Sequence, residues 1–139
     1  MMPGPRNISP WRSVALYTVL IIIGTHLPYM QGGPPPPVNA DKIIHFIGYA
    51  PLGALVFRAG KISGYRPLAI TLLGMVAVVL FASLDEYTQG FVPGRNPSVL
   101  DALADITGFA IGLFVMAMKY TLRGSKTADN SDTEIHNAP

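Results

Sequence analysis

The chain has 139 residues, 50% of them hydrophobic and only 13% charged, with no cysteine, a net charge of +2 and a pI near 9.0. Soluble domains carry roughly twice that share of charge, so the composition argues for a bilayer as solvent, and the length fits one domain. The missing cysteines exclude disulfides, thiolate metal sites and cysteine nucleophiles, and the uneven basic excess fits membrane topology better than nucleic-acid binding.

Residues 1–10 are polar and proline-rich and are expected to be disordered. Trp11-Arg12 opens an apolar run that ends at Pro28-Tyr29. A basic start before an apolar run also describes a signal peptide, but residues 24–28 offer no A-x-A-like cleavage site. Trp11 and Tyr29 stand where interfacial anchors would, so a retained first transmembrane helix is expected over about 12–29. Gly32-Gly33 and Pro34 to Pro37 then form a spacer loop, extended over roughly 12 Å as polyproline II. The second segment runs over about 42–59, with Asn39 or Asp41 as a cap. Arg58, Lys61 and Arg66 surround the next turn, and Pro67 suits the first turn of a third helix over about 67–86. A fourth helix is expected over about 99–120, with Ser98 as its cap. Residues 123–139 are short, polar and mixed in charge, and are expected to be a disordered tail. The fold class is therefore all-α: a polytopic bundle of four transmembrane helices occupying 11–122.

Four crossings place both termini on one side. Arg6, Arg12, Arg58, Lys61, Arg66, Lys119, Arg123 and Lys126 then share that side, and only Lys42 and Arg95 lie opposite. By the positive-inside rule both termini are expected to be cytoplasmic, and the polar stretch from Asp85 to Asp105 to face outward.

That stretch holds four of the eight acidic residues, yet it lies between uncharged runs at 67–84 and 106–118. Helical spacing puts Asp41, His45 and Tyr49 on one stripe beside Lys42. Asp85 and Gln89 share another, with Glu86 adjacent, and Asp101, Asp105, Gly108 and Gly112 share a third. Three helices thus aim carboxylates, an imidazole, an amide and a phenol at one region, and ionisable groups at such depth point to a functional site.

The blocks Asp41-Lys42-x-x-His45-Phe46-x-x-Tyr49-x-x-Leu52-Gly53, Asp85-Glu86-x-x-Gln89-x-Phe91-Val92-Pro93-Gly94-Arg95 and Asp101-x-x-x-Asp105-x-x-Gly108 closely resemble the VanZ-like family, in its order and over about 11–118. One departure is Asp105, where that family usually has Asn. The resemblance implies a small bacterial integral membrane protein of the cell envelope, its namesake being linked to low-level teicoplanin resistance. It supplies no catalytic mechanism.

The chemistry must therefore be argued from the residues. His45 is a candidate general base, with Asp85 and Glu86 as candidate acid/base partners, although neighbours in sequence point about 100° apart on a helix. Lys42, Tyr49, Gln89, Arg95 and Asp101 are candidate binding residues for an anionic lipid-linked or peptidoglycan-related molecule. Arg95 suits bidentate capture of phosphate or carboxylate, against the alternative of an internal salt bridge to Asp85, Glu86 or Asp101. Asp41 and Asp105 are read as orienting residues, because an amide at 105 would keep the shape and hydrogen-bonding reach. No H-x-x-x-H spacing occurs, with His26 and His136 placed elsewhere, so no metal or cofactor is assigned. An all-oxygen site from Asp85, Glu86, Asp101 and Asp105 could nonetheless hold a hard cation. Membrane lipids are the expected partners, and nucleic acid is not. Against an enzyme or binding protein stands a non-catalytic scaffold whose polar cluster is an ion-pair lock. The two differ in that a lock is closed with every charge matched.

The topology is testable by thiol labelling. Cysteine placed at Pro35 or Asn96 should react with a membrane-impermeant reagent in intact cells, and cysteine at Ser63 should not. Labelling at Ser63 alone would reverse the orientation.

Overall fold

The computed structural model describes residues 9–28 and 39–136. The proline spacer and the expected disorder of residues 1–8 lie outside them. The described chain forms four helices and no strand: α1 (Trp11–Thr25), α2 (Ala40–Ile62), α3 (Pro67–Gln89) and α4 (Val99–His136). They alternate in direction. One end of the bundle carries the α2–α3 turn, and the other carries the α3–α4 connection, called here the polar end.

Three helices are long and apolar enough to cross a bilayer: α2, α3 and the Val99–Gly124 part of α4. The first is shorter than the expected 12–29. It has 15 residues and rises about 22 Å, less than a hydrocarbon core of roughly 30 Å. Pro28 explains the early stop, since it disfavours helical geometry at Leu27. Even so, α1 lies along the bundle between its two ends. At its start Trp11 Nε1 donates to Ser63 Oγ (3.0 Å), and midway Tyr17 donates to the Gly48 carbonyl (3.0 Å). At its finish Thr25 reaches the end of α3.

The fourth helix corrects the sequence reading in the other direction. It continues through His136, where a disordered tail from 123 was expected; residues 137–139 lie outside the described ones. Once a helix exists, each further residue adds a hydrogen bond, and Gly124 alone costs only about 1 kcal/mol relative to alanine. No proline intervenes before Pro139.

The expected early-helix proline is found: Pro67 opens α3 after an extended Arg66. Asn39 stands at the α2 cap position in a left-handed conformation (φ 66°), with no side-chain capping bond. Gly94 (φ 81°) closes a tight turn in which Arg95 N donates to the Val92 carbonyl at 3.1 Å. This turn sends Arg95 back toward the end of α1.

The centre of the bundle is the seam between α2 and α4. A Cβ at Gly108 would overlap the Phe46 carbonyl, one at Gly112 the Ala50 carbonyl, and one at Gly53 the Phe109 carbonyl. These glycines bring the two backbones into direct contact, the small-residue packing that membrane helices use where no hydrophobic effect draws them together. Below the polar end the seam is apolar, with Tyr49, Leu52, Phe57, Phe109 and Leu113 buried. On α3 the buried stripe is Ile70, Gly74, Val78 and Ala82, at intervals of four, and it leads directly into Asp85, Glu86 and Gln89.

The seam sets a testable demand on side-chain size. Gly112→Ala should lower the thermal midpoint of the detergent-solubilised protein, by overpacking of about 3 kcal/mol. Gly124→Ala, where nothing lies within 4 Å of the new methyl group, should not.

Candidate functional site

At the polar end the last buried turns of α2, α3 and α4 present charge instead of hydrocarbon. His45, Asp85, Glu86, Gln89, Asp101 and Asp105 are all buried. Charged groups so placed require specific partners, because desolvation costs several kcal/mol per ion. The partners divide the cluster into four parts.

Asp85 is held by neutral donors. Gln89 Nε2 lies 2.9 Å and the Tyr49 hydroxyl 3.2 Å from its Oδ2, while the Thr25 hydroxyl lies 3.0 Å from Oδ1. His26 Nδ1 stands 3.7 Å from the same Oδ1, and its Nε2 is 3.0 Å from the Thr88 hydroxyl. Asp85 is therefore the most completely bonded carboxylate of the cluster.

The second part is His45 between two acids from two other helices. His45 Nδ1 lies 3.0 Å from Asp105 Oδ1 and 3.9 Å from Glu86 Oε1. Glu86 Oε2 accepts the Ser98 backbone N–H at 2.8 Å. Asp105 Oδ2 and Glu86 Oε1 are buried with no hydrogen-bond partner among the described residues. Asp105 is 0% exposed. These three side chains place one nitrogen and two oxygens within 4.8 Å of one another, close enough to share a metal ion.

Lys42 makes the third part, 3.0 Å from Asp41 Oδ2 and 3.2 Å from Asp101 Oδ1. Its approach to Asp101 is an ion pair without hydrogen-bond alignment, since Asp101 Oδ1 has no hydrogen-bond partner. Asp41, in the first turn of α2, is exposed, whereas His45 and Tyr49 farther along the same stripe are buried.

Arg95 forms the fourth. Its Nε and terminal nitrogen approach the Leu27 and Gly24 carbonyls at 3.4 and 3.3 Å. It caps the C-terminal carbonyls of α1, where a cation is favoured. Among the described residues no ion pair joins it to Asp85, Glu86 or Asp101, so the salt bridge considered from sequence is not formed.

The sequence-selected residues are thus brought to one end of the bundle, but they do not act as one set. Asp85 and Glu86 serve different partners, as their angular separation requires. His45 pairs with Asp105 and Glu86, while Asp85 belongs to Tyr49, Gln89 and Thr25. Ser98 precedes α4 and caps with its main chain: its carbonyl accepts from Asp101 and Ala102, and its N–H goes to Glu86. Thr25 and His26 were missed. The signal for them was a Thr-His pair at the end of an apolar segment, at the level where the other helices carry acids.

A cleft of about 250 Å³ opens between α1 and α2. Leu20, Ile21 and Ile44 make its apolar side, and Thr25, His45, Tyr49 and Arg95 line it as well. Gln89, Asp101, Asp85 and Glu86 are not among its lining residues. A larger space of about 420 Å³ lies toward the α2–α3 turn, among Leu52, Val56, Leu73, Val78, Phe81 and Phe109. It contains no carboxylate or histidine, so the polar chemistry belongs to the smaller cleft.

Comparison with known proteins supports the resemblance drawn from the sequence. The VanZ/LLP1 family model matches residues 6–120, which include every helix-borne residue of the polar end. No curated protein and no solved structure matches the chain. With most of its length covered by that model, this four-helix chain belongs to the VanZ/LLP1 family.

Proposed function

We propose that the protein is an inner-membrane protein of the bacterial cell envelope, with cytoplasmic termini, which binds an anionic lipid-linked or peptidoglycan-related molecule at the outer leaflet. By its family, its effect is on susceptibility to glycopeptides of the teicoplanin type. The observation that carries the reading is the α1–α2 cleft, which joins an apolar wall to a polar end lined by His45, Tyr49, Thr25 and Arg95. A molecule with a hydrocarbon tail and an anionic head matches that division.

The geometry also revises how the residues share the work. Arg95 borders the cleft while its donors reach the α1 carbonyls, so it presents positive charge there without spending it on a carboxylate. Lys42 is occupied by Asp41 and Asp101 and acts from a distance. Proton transfer, in the enzymatic version, falls to His45 with Asp105 and Glu86, and Asp85 is left to hold Tyr49 and the end of α1. The scaffold reading requires a closed network with all charges matched. An open cleft and two buried oxygens without hydrogen-bond partners, on Glu86 and Asp105, count against it, whereas Asp101 Oδ1 is charge-matched by Lys42.

Steric closure of the cleft tests the reading. Ile44 and Leu20 are exposed residues of the apolar wall and make no polar contact, so tryptophan at either fills the space and spares the network. Wild-type protein in nanodiscs should bind farnesyl phosphate, used as a short lipid-phosphate probe. Ile44→Trp and Leu20→Trp should each weaken binding by about tenfold, and the same variants should lose any change in teicoplanin susceptibility that expression of the wild type confers. Binding unaffected by both substitutions would remove the cleft from the function.

A further inference from the structure

We infer that His45, Glu86 and Asp105 form a binding site for one divalent transition-metal cation, Zn²⁺ or Mn²⁺, which ties α2, α3 and α4 together at the polar end. Three independent observations carry this. The first is geometric. A metal bound at about 2.1 Å in a tetrahedral site sets its ligand atoms about 3.4 Å apart. The His45 Nδ1 separations of 3.0 Å from Asp105 Oδ1 and 3.9 Å from Glu86 Oε1 bracket that value.

The second is the set of partnerless oxygens. Glu86 Oε1 and Asp105 Oδ2 belong to residues 6% and 0% exposed, and neither has a hydrogen-bond partner. A buried carboxylate oxygen without a donor costs free energy unless something electropositive faces it. Both of these oxygens belong to the acids that flank His45, whereas Asp85, lower on the α1 side, has its donors supplied. A third such oxygen, Asp101 Oδ1, faces Lys42 at 3.2 Å, so the oxygens with neither a donor nor a lysine beside them are those of the proposed site.

The third is charge. Asp85, Glu86, Asp101 and Asp105 are buried together, and the described cations within ion-pair distance of them are Lys42, His26 and His45. Even with both imidazoles protonated, the cluster keeps an excess of negative charge, and Lys42 is shared with Asp41. Buried charges are paired or coordinate metals, and a divalent cation at His45 corrects the imbalance in one step. The nitrogen donor selects the cation. The imidazole favours Zn²⁺ and the two carboxylates also admit Mn²⁺, whereas Mg²⁺ and Ca²⁺ prefer all-oxygen shells. Three protein ligands leave a coordination position open. His45 also lines the cleft, so a bound anion or water could reach that position.

The site rests on these side chains and not on the lipid reading, and its test uses no lipid. Protein purified in detergent, with any affinity tag removed, is analysed for metal content. About one Zn²⁺ or Mn²⁺ per chain is expected in the wild type. His45→Gln and Glu86→Gln should each lower the retained metal by about tenfold or more, and Asp41→Asn, an exposed acid outside the triad, should retain the wild-type amount. Should either triad variant fail to fold, chelator-treated wild type decides: its thermal midpoint should rise on adding Zn²⁺ or Mn²⁺ and not on adding Mg²⁺. Wild type that holds neither cation and shows no such rise overturns the inference, as does full metal content in both triad variants. Metal binding with no affinity for farnesyl phosphate would remove the lipid reading and leave the cation site standing.

Discussion

The contact on which the other features depend is the backbone approach of α2 to α4. Gly53, Gly108 and Gly112 allow main-chain atoms of the two helices to touch, and no larger residue fits at those points. That approach brings His45 on α2 within hydrogen-bond distance of Asp105 on α4. A side chain at any of the three glycines would push the helices apart, and His45 would lose its buried partner Asp105. Packing in the apolar half therefore sets the electrostatics of the polar half.

Those electrostatics are unequal across the bundle. On the α1 side Asp85 has a phenol, an amide and a hydroxyl as donors, and the result is a well-satisfied structural joint. Toward α4 the supply of donors ends, and Glu86 and Asp105 keep oxygens that face nothing bonded to them. A protein interior tolerates a deficit of this kind poorly unless something else supplies positive charge. The unequal division separates a part of the cluster that holds helices together from a part with capacity left for a ligand.

The role of α1 follows from its length. Too short to match the other helices, it is fastened at both ends, by Trp11 to the α2–α3 turn and by Thr25 and His26 to the end of α3. Its last carbonyls accept from Arg95, which arrives from the turn before α4. Between those fastenings it borders two of the protein's clefts, one toward each end. Leu16, Leu20 and Ile23 are exposed on this helix, which suits a surface whose solvent is hydrocarbon.

The sequence by itself determined the class of protein and the location of its chemistry. Uncharged runs bounded by basic turns mark the helices, because a bilayer excludes charge over a fixed thickness. Four acids between two such runs mark the polar end, and the stripes His45–Tyr49, Asp85–Gln89 and Asp101–Asp105 follow from 3.6 residues per turn. Only the tertiary structure decided the pairings. Helical periodicity states which residues share a face, but the rotation and axial shift of each helix against its neighbours decide which faces meet. Asp105 thus came to lie against His45, Asp85 received Thr25 from a segment read only as a membrane anchor, and Arg95 went to the α1 carbonyls instead of a carboxylate. The end of α4 was hidden for a different reason: a polar tail has no apolar periodicity in its sequence to mark it, and its helix continues from the one already formed.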